Sequence, residues 1–442
     1  MSLSRQEIQQ LVADHDVRFL RLQFTDILGI VKNVAIPASE LERALAGQIM
    51  FDGSSIEGFT RIEESDMLLR PDLDTFALFP WRPKQNAVAR LICDVCLPNG
   101  QPFPGDPRYV LRQALAQAAA DGFEVEIGPE CEFFLFHRSP EGKPTTLTHD
   151  EGSYFDMSPI DLGEDARREI VLALEDMGLR VEASHHEVAP GQHEIDLKHT
   201  SALTAADQIM TLKFVARSVA AQHNLHVTFM PKPVFGVNGS GMHIHVSLRR
   251  NGQNAFYDPD DPEQLSAVAR HFVAGLLAHA SSITAITNPV VNSYKRLIPG
   301  YEAPVYITWS TQNRSTLVRI PAARGEATRL EYRSPDPTCN PYLALAVIIR
   351  AGVDGVRRQL APPPQVQTNV YQMNATERAR AGVRTLPGSL AEALDALEQD
   401  ELIRETLGEH VYTHFLAAKR IEWDVYRSQV HAWELEQYLG AF

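Results

Sequence analysis

Four short segments of this chain carry ionisable side chains two residues apart, with mostly apolar residues between them. Glu130 and Glu132 lie in Gly128-Pro-Glu-Cys-Glu-Phe-Phe-Leu-Phe136, and Glu194 and Asp196 in Gln192-His-Glu-Ile-Asp-Leu197. His243, His245 and Ser247 lie in Gly241-Met-His-Ile-His-Val-Ser-Leu248, and Arg329, Glu331 and Arg333 in Thr328-Arg-Leu-Glu-Tyr-Arg333. A period of two is that of a β-strand, so each segment turns its ionisable groups to one face and packs the other. Most alternating strands simply show the polar face to water. Such faces draw on Lys, Thr, Ser and Gln, whereas these draw on carboxylates, imidazoles and guanidiniums. Glu130 and Glu132 also repel each other unless a cation lies near them. Glu and His donors without thiolates favour magnesium or manganese over structural zinc. The pattern predicts a sheet that lines a cavity for metals and anionic substrates.

The rest of the chain supplies the scaffold. At 442 residues, 44% hydrophobic and 22% charged, it is no disordered or collagen-like polymer. Its length fits roughly two or three domains. Pro98-Asn-Gly-Gln-Pro-Phe-Pro-Gly-Asp-Pro107 holds four Pro and two Gly and can be neither helix nor central strand. It predicts a boundary between a small β-rich domain, residues 1–102, and a larger α+β domain, residues 103–442. In the first, Val17–Phe24 alternates as a strand, Asp26–Gly29 reads as a turn and Ile30–Ile36 as its hairpin partner. In the second, Tyr109–Asp121, Ser201–Gln222 and Pro262–His279 read as helices. The C-terminal segment reads as helix opened by Ser389 and Glu392, with Val411, Phe415, Ala418 and Val425 on one stripe.

Charge and cysteines bound the function. The net charge is −15 with no run of Lys or Arg, which excludes a phosphate-tracking nucleic-acid binder. Cys93 and Cys96 form a C-x-x-C inside an apolar strand-like run, without a second pair to make a zinc ribbon. With Cys131 and Cys339 they read as buried thiols of a reducing compartment. The N-terminus has a capping box at Ser4 and Glu7 but no signal-peptide core, and no apolar run reaches membrane-spanning length. A cytoplasmic protein without membrane contact is expected. Two loops add to the site. Phe235–Met242 is Gly-rich but lacks the Lys-Ser/Thr of a Walker A loop. Asn292–Pro304 sets Lys295, Arg296 and Glu302 between Gly and Pro hinges, as suits a loop that closes over a site.

These segments together resemble glutamine synthetase of the bacterial type I class, over essentially the whole chain. Five motifs carry the resemblance: Met50-Phe-Asp-Gly-Ser-Ser-Ile56, Gly128-Pro-Glu-x-Glu-Phe-Phe134, Lys232-Pro-x-x-Gly-x-Asn-Gly-Ser-Gly-Met-His243, Asn292-Ser-Tyr-Lys-Arg296 and Asn313-Arg314. It implies a β-grasp-like N-terminal domain and a catalytic domain with a curved antiparallel sheet flanked by helices. The implied reaction joins ammonia to the side-chain carboxylate of glutamate, driven by ATP through a γ-glutamyl phosphate. Two or three Mg²⁺ or Mn²⁺ would serve each site, one held by Glu132, Glu187 and Glu194 and another by Glu130, His243 and Glu331. Arg296 with Asn238 and Gly239 would bind glutamate, and Arg314 and Arg333 would meet the phosphoryl group. Arg319, Glu182, Ser247 and His245 would lie by the nucleotide. Asp52, from a neighbouring subunit, and Glu302 would hold ammonium and take its proton.

The resemblance is to the shorter branch of the class, regulated by glutamine, with Arg61 at the position linked to that feedback. Tyr371 stands near the residue that other members adenylylate, but lacks their acidic, Pro-rich surroundings, and no adenylylation is expected. A homododecamer of two stacked hexamers is implied, with sites between subunits and contact with transcription regulators as an added role. The nearest rival is a glutamate–polyamine ligase, which would not need an ammonium site at Asp52 and Glu302. A catalytically dead relative would not need all six metal ligands.

Overall fold

The computed structural model describes residues 3–56, 58, 66–367, 370–380 and 382–442. Arg61 lies outside the described residues. The N-terminal part is built on strands β1 (Val17–Thr25), β2 (Val31–Pro37), β3 (Ile49–Asp52), β4 (Asp66–Leu78) and β5 (Ala87–Cys96). They form one sheet in the order β2-β1-β5-β4-β3, with the central pair β1 and β5 parallel and the other pairs antiparallel. The β1–β2 reversal is made by Asp26, whose Oδ1 accepts the N–H groups of Leu28 at 3.0 Å and Ile30 at 2.9 Å. Gly29 takes the left-handed conformation that this turn requires, at φ 82°. The helix Arg5–Asp14, opened by the Ser4/Glu7 capping box, lays Ile8 and Val12 on the sheet. Cys93 and Cys96 are buried and free, as are Cys131 and Cys339.

The second part follows the Pro-rich segment. Its strands are β6 (Glu124–Arg138), β7 (Pro144–Thr148), β8 (Val181–His186), β9 (Gln192–Leu197), β10 (Thr200–Ser201), β11 (Leu225–Thr228) and β12 (Met242–Arg250). Then come β13 (Gln253–Asn254), β14 (Tyr306–Ile307), β15 (Trp309–Ser310), β16 (Val318–Arg319), β17 (Leu330–Tyr332) and β18 (Arg384–Thr385). The main sheet runs β15-β16-β17-β12-β6-β9-β8, antiparallel except at β15–β16, with the short β7, β10, β11 and β13 on its flanks. Its apolar face, including Cys131, Phe133, Ile195, Leu197, Ile244 and Val246, is covered by helices Ala202–Gln222, Ala267–Thr287 and Pro341–Arg357. The last two approach closely because Gly275 and Gly355 lack side chains. A Cβ on Gly275 would fall 2.1 Å from the Ala351 carbonyl.

A buried ion cluster ties the two parts. Arg108, 3% exposed, bonds Asp94 at 2.6 Å and Asp72 at 2.6 Å, both on the N-terminal sheet, and Asp207 at 2.8 Å on the helix Ala202–Gln222. The Asn340 side chain donates to the Asp26 carbonyl at 2.9 Å, tying the β1–β2 turn to the start of the helix Pro341–Arg357.

Two helical expectations shift. The segment expected to be helical from Pro262 begins at Ala267, because Ser266 caps it by accepting the Ala269 N–H at 3.1 Å, while the Asp258–Gln264 stretch closes on itself as turns. In the C-terminal helix Glu401–Arg427, Gly408 is non-helical at φ 72° and kinks the axis. Val411 and Phe415 are buried as the stripe predicts, but Val425 is exposed. No helix among the described residues is long and apolar enough to cross a membrane.

Candidate active site

The polar face of the main sheet floors a cavity of about 900 Å³. Sheet register decides which groups meet there. On β6, Glu130 stands opposite Asp196 of β9 and His243 of β12, and Glu132 opposite Glu194 of β9. His185 of β8 stands opposite Glu194, and Glu331 of β17 pairs with His245 of β12 and Arg319 of β16. Glu187 follows the end of β8. The period-two residues of four separated segments thus form adjoining rows on one face. Cys131, between the two Glu of β6, points into the core, and burial pushes its thiol up to about 12.

The rows form two groups. In one, Glu130 accepts from His243 Nδ1 at 2.9 Å and lies 2.5 Å from His245 Nε2, and Glu331 lies 3.6 Å from His243. Glu331 is also paired with Arg319 and Arg333. Burial would raise both carboxyls. Hydrogen bonds from His243 and His245 outweigh it and hold Glu130 well below the usual range. Arg333 and the two imidazoles hold Glu331 at about 2. In the other group, Glu187 and Glu194 flank His185 at 3.7 and 3.8 Å. Here burial wins. Glu194 is pushed well up by burial and by Glu132 and Asp196, Glu187 is raised by burial, and Asp196 is raised to about 6. Glu132 is raised to about 8, by burial first and then by Glu187.

Ligand-type atoms of Glu130, His245 and Glu331 lie within 4.8 Å of one another, as do those of His185, Glu187 and Glu194. These are oxygen and imidazole donors, and the second group has more buried carboxylate charge than nearby cations balance. Both fit hard divalent cations. Glu132 lines the same cavity as Glu187 and Glu194, and its Oε2 accepts the Gly241 N–H at 2.9 Å and the Gln192 amide at 3.0 Å. His245, expected beside the nucleotide, reaches Glu130 and also receives a bond from Arg329 at 3.1 Å.

The walls carry the remaining expected residues. Arg296 is 3% exposed, donates to the Ser334 carbonyl at 2.7 Å, and aims its charge at Glu132. Asn238 and Gly239 line the same end, and the Asn238 amide donates to Glu302 at 3.0 Å. Glu302 sits at φ 59° on the Asn292–Pro304 loop, a left-handed turn for a non-glycine residue. Arg314, Arg319 and Arg333 line the cavity too, the last two paired with Glu331. A second cavity of about 340 Å³ shares Glu130 and Asp196 with the first and is lined by Glu182, His245 and Ser247. Asp52 does not line either cavity. It lies exposed on the N-terminal sheet, its Oδ1 accepting from the Ser54 N–H at 2.8 Å and hydroxyl at 2.7 Å, which lower its pKa.

Residues 104–438 match the family model for the glutamine synthetase catalytic domain, and residues 16–98 that for the glutamine synthetase β-grasp domain. The chain belongs to the glutamine synthetase family. It is 60% identical to a glutamine synthetase of Thermus thermophilus, covering 100% of both chains, and 56% identical to one of Clostridium saccharobutylicum, covering 99% of both. A solved GmaS/ADP complex superposes with a TM-score of 0.89 at 34% identity over 98% of this chain and 99% of that one. The cryo-EM structure of Plasmodium falciparum glutamine synthetase gives 0.88 at 27% identity, over 99% of each. Family membership accounts for the β-grasp sheet, the mixed α/β catalytic part and the cavity between sheet and loops.

Two features escaped the sequence reading. His185 and Gln192 both line the main cavity. The Ser-His-His run before Glu187 and the Gln two residues before Glu194 were the available signals. Behind β9 lies a further buried group. Arg167 donates to Asp161 at 2.7 Å and to His193 Nδ1 at 2.8 Å, while Asp150 Oδ1 takes the Gly191 N–H at 2.8 Å and lies 3.2 Å from His186. Burial, with Arg167, keeps His193 neutral, so its proton sits on Nε2. That atom offers an N–H and no lone pair. This group is a polar hub beside Glu187 and Glu194, in which ligand-type atoms of His149, Asp150, Asp161 and His193 lie within 4.8 Å of one another.

Proposed function

We propose that this chain ligates ammonia to the γ-carboxylate of glutamate with ATP, yielding glutamine, ADP and phosphate. The observation that carries the reading is the cavity itself: carboxylates, imidazoles and arginines lining one space, in a chain whose whole length matches glutamine synthetases. A carboxylate is a poor electrophile, so its oxygen first attacks the γ-phosphorus of ATP and ADP leaves. Ammonia then attacks the acyl phosphate and phosphate departs. Glu130, His243 and Glu331, and Glu132, Glu187 and Glu194, with His185 and His245 at hand, would hold Mg²⁺ or Mn²⁺, which would neutralise phosphate-oxygen charge.

The protein's own groups do the rest. Arg296, with Asn238 and Gly239, holds the amino acid so that its side chain points toward the phosphoryl donor. Arg314 and Arg333 meet the charge that moves onto the phosphoryl oxygens, and Arg319 holds the nucleotide phosphates. ATP enters by the second cavity, past Glu182 and Ser247; the solved GmaS neighbour carries ADP. Ammonium is bound and deprotonated by Glu302 together with Asp52 of an adjacent copy, since Asp52 of the same copy lies outside the cavity.

A dodecamer of two stacked hexamers meets that need. Trp433, Leu439 and Phe442 expose apolar surface at the C-terminus, as an element awaiting a second ring would. Glutamine feedback through Arg61 and contact with transcription regulators belong to the same reading, and four free buried thiols suit a reducing cytoplasm. A coupled ADP-release assay with glutamate, offering ammonia and polyamines separately, tests the proposal. Release with ammonia alone is expected; release with polyamines alone would refute it.

A further inference from the structure

Gln192 opens β9 two residues before Glu194, and its side chain is wholly buried. Its Oε1 accepts the Ala189 N–H at 3.3 Å, which fixes the orientation of the amide. Nε2 then donates to Oε2 of Glu132 at 3.0 Å and to the Gly239 carbonyl at 3.1 Å, with the Ser240 hydroxyl at 3.4 Å. One neutral amide therefore spans a carboxylate of the cation cluster and the backbone of the loop at the glutamate end.

Both acceptors sit in frames with little freedom. A Cβ on Gly239 would lie 2.1 Å from the Pro231 carbonyl, and one on Gly241 would lie 2.4 Å from Arg296 Nη2. Gly241 is itself the second donor to Glu132 Oε2, at 2.9 Å. The loop, Arg296 and Glu132 are packed into one unit, and Gln192 is the side chain that joins this unit to the strand bearing Glu194. An amide does this without adding to the local carboxylate charge, which a Glu at this position would increase.

We infer that Gln192 is a positioning residue that couples the divalent-cation site to the glutamate site, holding the Glu132 carboxylate and the Gly239 carbonyl in one frame. This rests on the proposed function. By linkage, glutamate then tightens cation binding by the same factor that the cation tightens glutamate binding. The second cavity, lined by Glu182 and Ser247, does not include Gln192, so once the cation site is filled the amide has no direct part in holding ATP.

The test uses the full-length assembled enzyme, with Gln192→Met, which keeps length and loses the donor, and Gln192→Asn, which keeps the amide but falls short. Mn²⁺ binding is read by electron paramagnetic resonance of the free ion, with and without glutamate, alongside the KM values for glutamate and ATP. In both variants Mn²⁺ affinity falls and glutamate KM rises, each roughly tenfold. Glutamate no longer tightens Mn²⁺ binding, and at saturating Mn²⁺ the ATP KM stays within about twofold. A wild-type enzyme that binds no Mn²⁺ and makes no glutamine would sink the proposed function itself. A working wild type with variants unchanged in Mn²⁺ affinity and glutamate KM overturns the role of Gln192 alone. Equal loss of all three parameters, or failure of both variants to assemble, assigns Gln192 a structural role and overturns it too.

Discussion

At the scale of single residues, the cavity is divided by charge. Glu331 and Glu130 are supplied with Arg319, Arg333 and two imidazoles and stay ionised, whereas Glu132, Glu187, Glu194 and Asp196 crowd one another in a buried corner. The crowded corner costs stability until a cation arrives, which is how functional sites store strain. Glu194→Gln should therefore raise the melting temperature in the presence of a chelator by a few degrees and reduce the stabilisation given by Mn²⁺, as calorimetry would show. A chelated variant that melts lower than the wild type would contradict this. Arg296→Lys loses the planar fork that spans the Ser334 and Arg333 carbonyls. It should cost about 2 kcal/mol, or roughly thirtyfold in kcat/KM for glutamate, with ATP KM little changed in steady-state kinetics. Much at this scale was legible because charge at period two is unusual for a solvated strand. His185 and Gln192 were not, since a His beside another His and a neutral amide at a strand start carry no such signature.

At the scale of elements, His279 on the helix Ala267–Thr287 bridges Asp400 at 2.7 Å and Asp354 at 3.2 Å. Asp400 caps the C-terminal helix Glu401–Arg427, so this imidazole pins that helix to the core. Burial lowers the His279 pKa, but Asp400 and Asp354 outweigh it and raise it above the ordinary 6.5. Asp400 is moved down from 3.8, with His279 and Ser282 outweighing burial. The raised His279 gives its stabilisation fully below its unfolded value and loses it as pH rises through the folded value. The depressed Asp400 gives its share above its unfolded value. The melting-temperature gap between wild type and His279→Gln should accordingly be widest near pH 5 to 6 and shrink toward alkaline pH; a constant gap would contradict it. Element positions were readable where local chemistry decides them, as at the Asp26 turn. Pro262 misled because a Pro fits the first turn of a helix, while the Asp258–Gln264 turns and the Ser266 cap, whose hydroxyl donates to the Ala255 carbonyl, set the start.

At the scale of the whole molecule, the parts are joined by charge and left open by apolar surface. Arg108 gathers Asp72, Asp94 and Asp207 in the joint between N-terminal sheet and catalytic part, so Arg108→Leu leaves the buried Asp207 without its cation, while the half-buried Asp72 and Asp94 keep Arg112. It should cost about 3 to 5 kcal/mol and appear as loss of assembled protein in size-exclusion chromatography. That joint could not be read in sequence, because its members are separated by up to 135 positions and none shares a period. The step on which the function turns is phosphoryl transfer onto glutamate before ammonia adds. Glutamate labelled with oxygen-18 in its γ-carboxylate, supplied with ATP, Mg²⁺ and ammonium, measures it directly by mass spectrometry of the released phosphate. Each glutamine formed should leave one labelled oxygen in phosphate; unlabelled phosphate accompanying labelled glutamine would contradict transfer before amination.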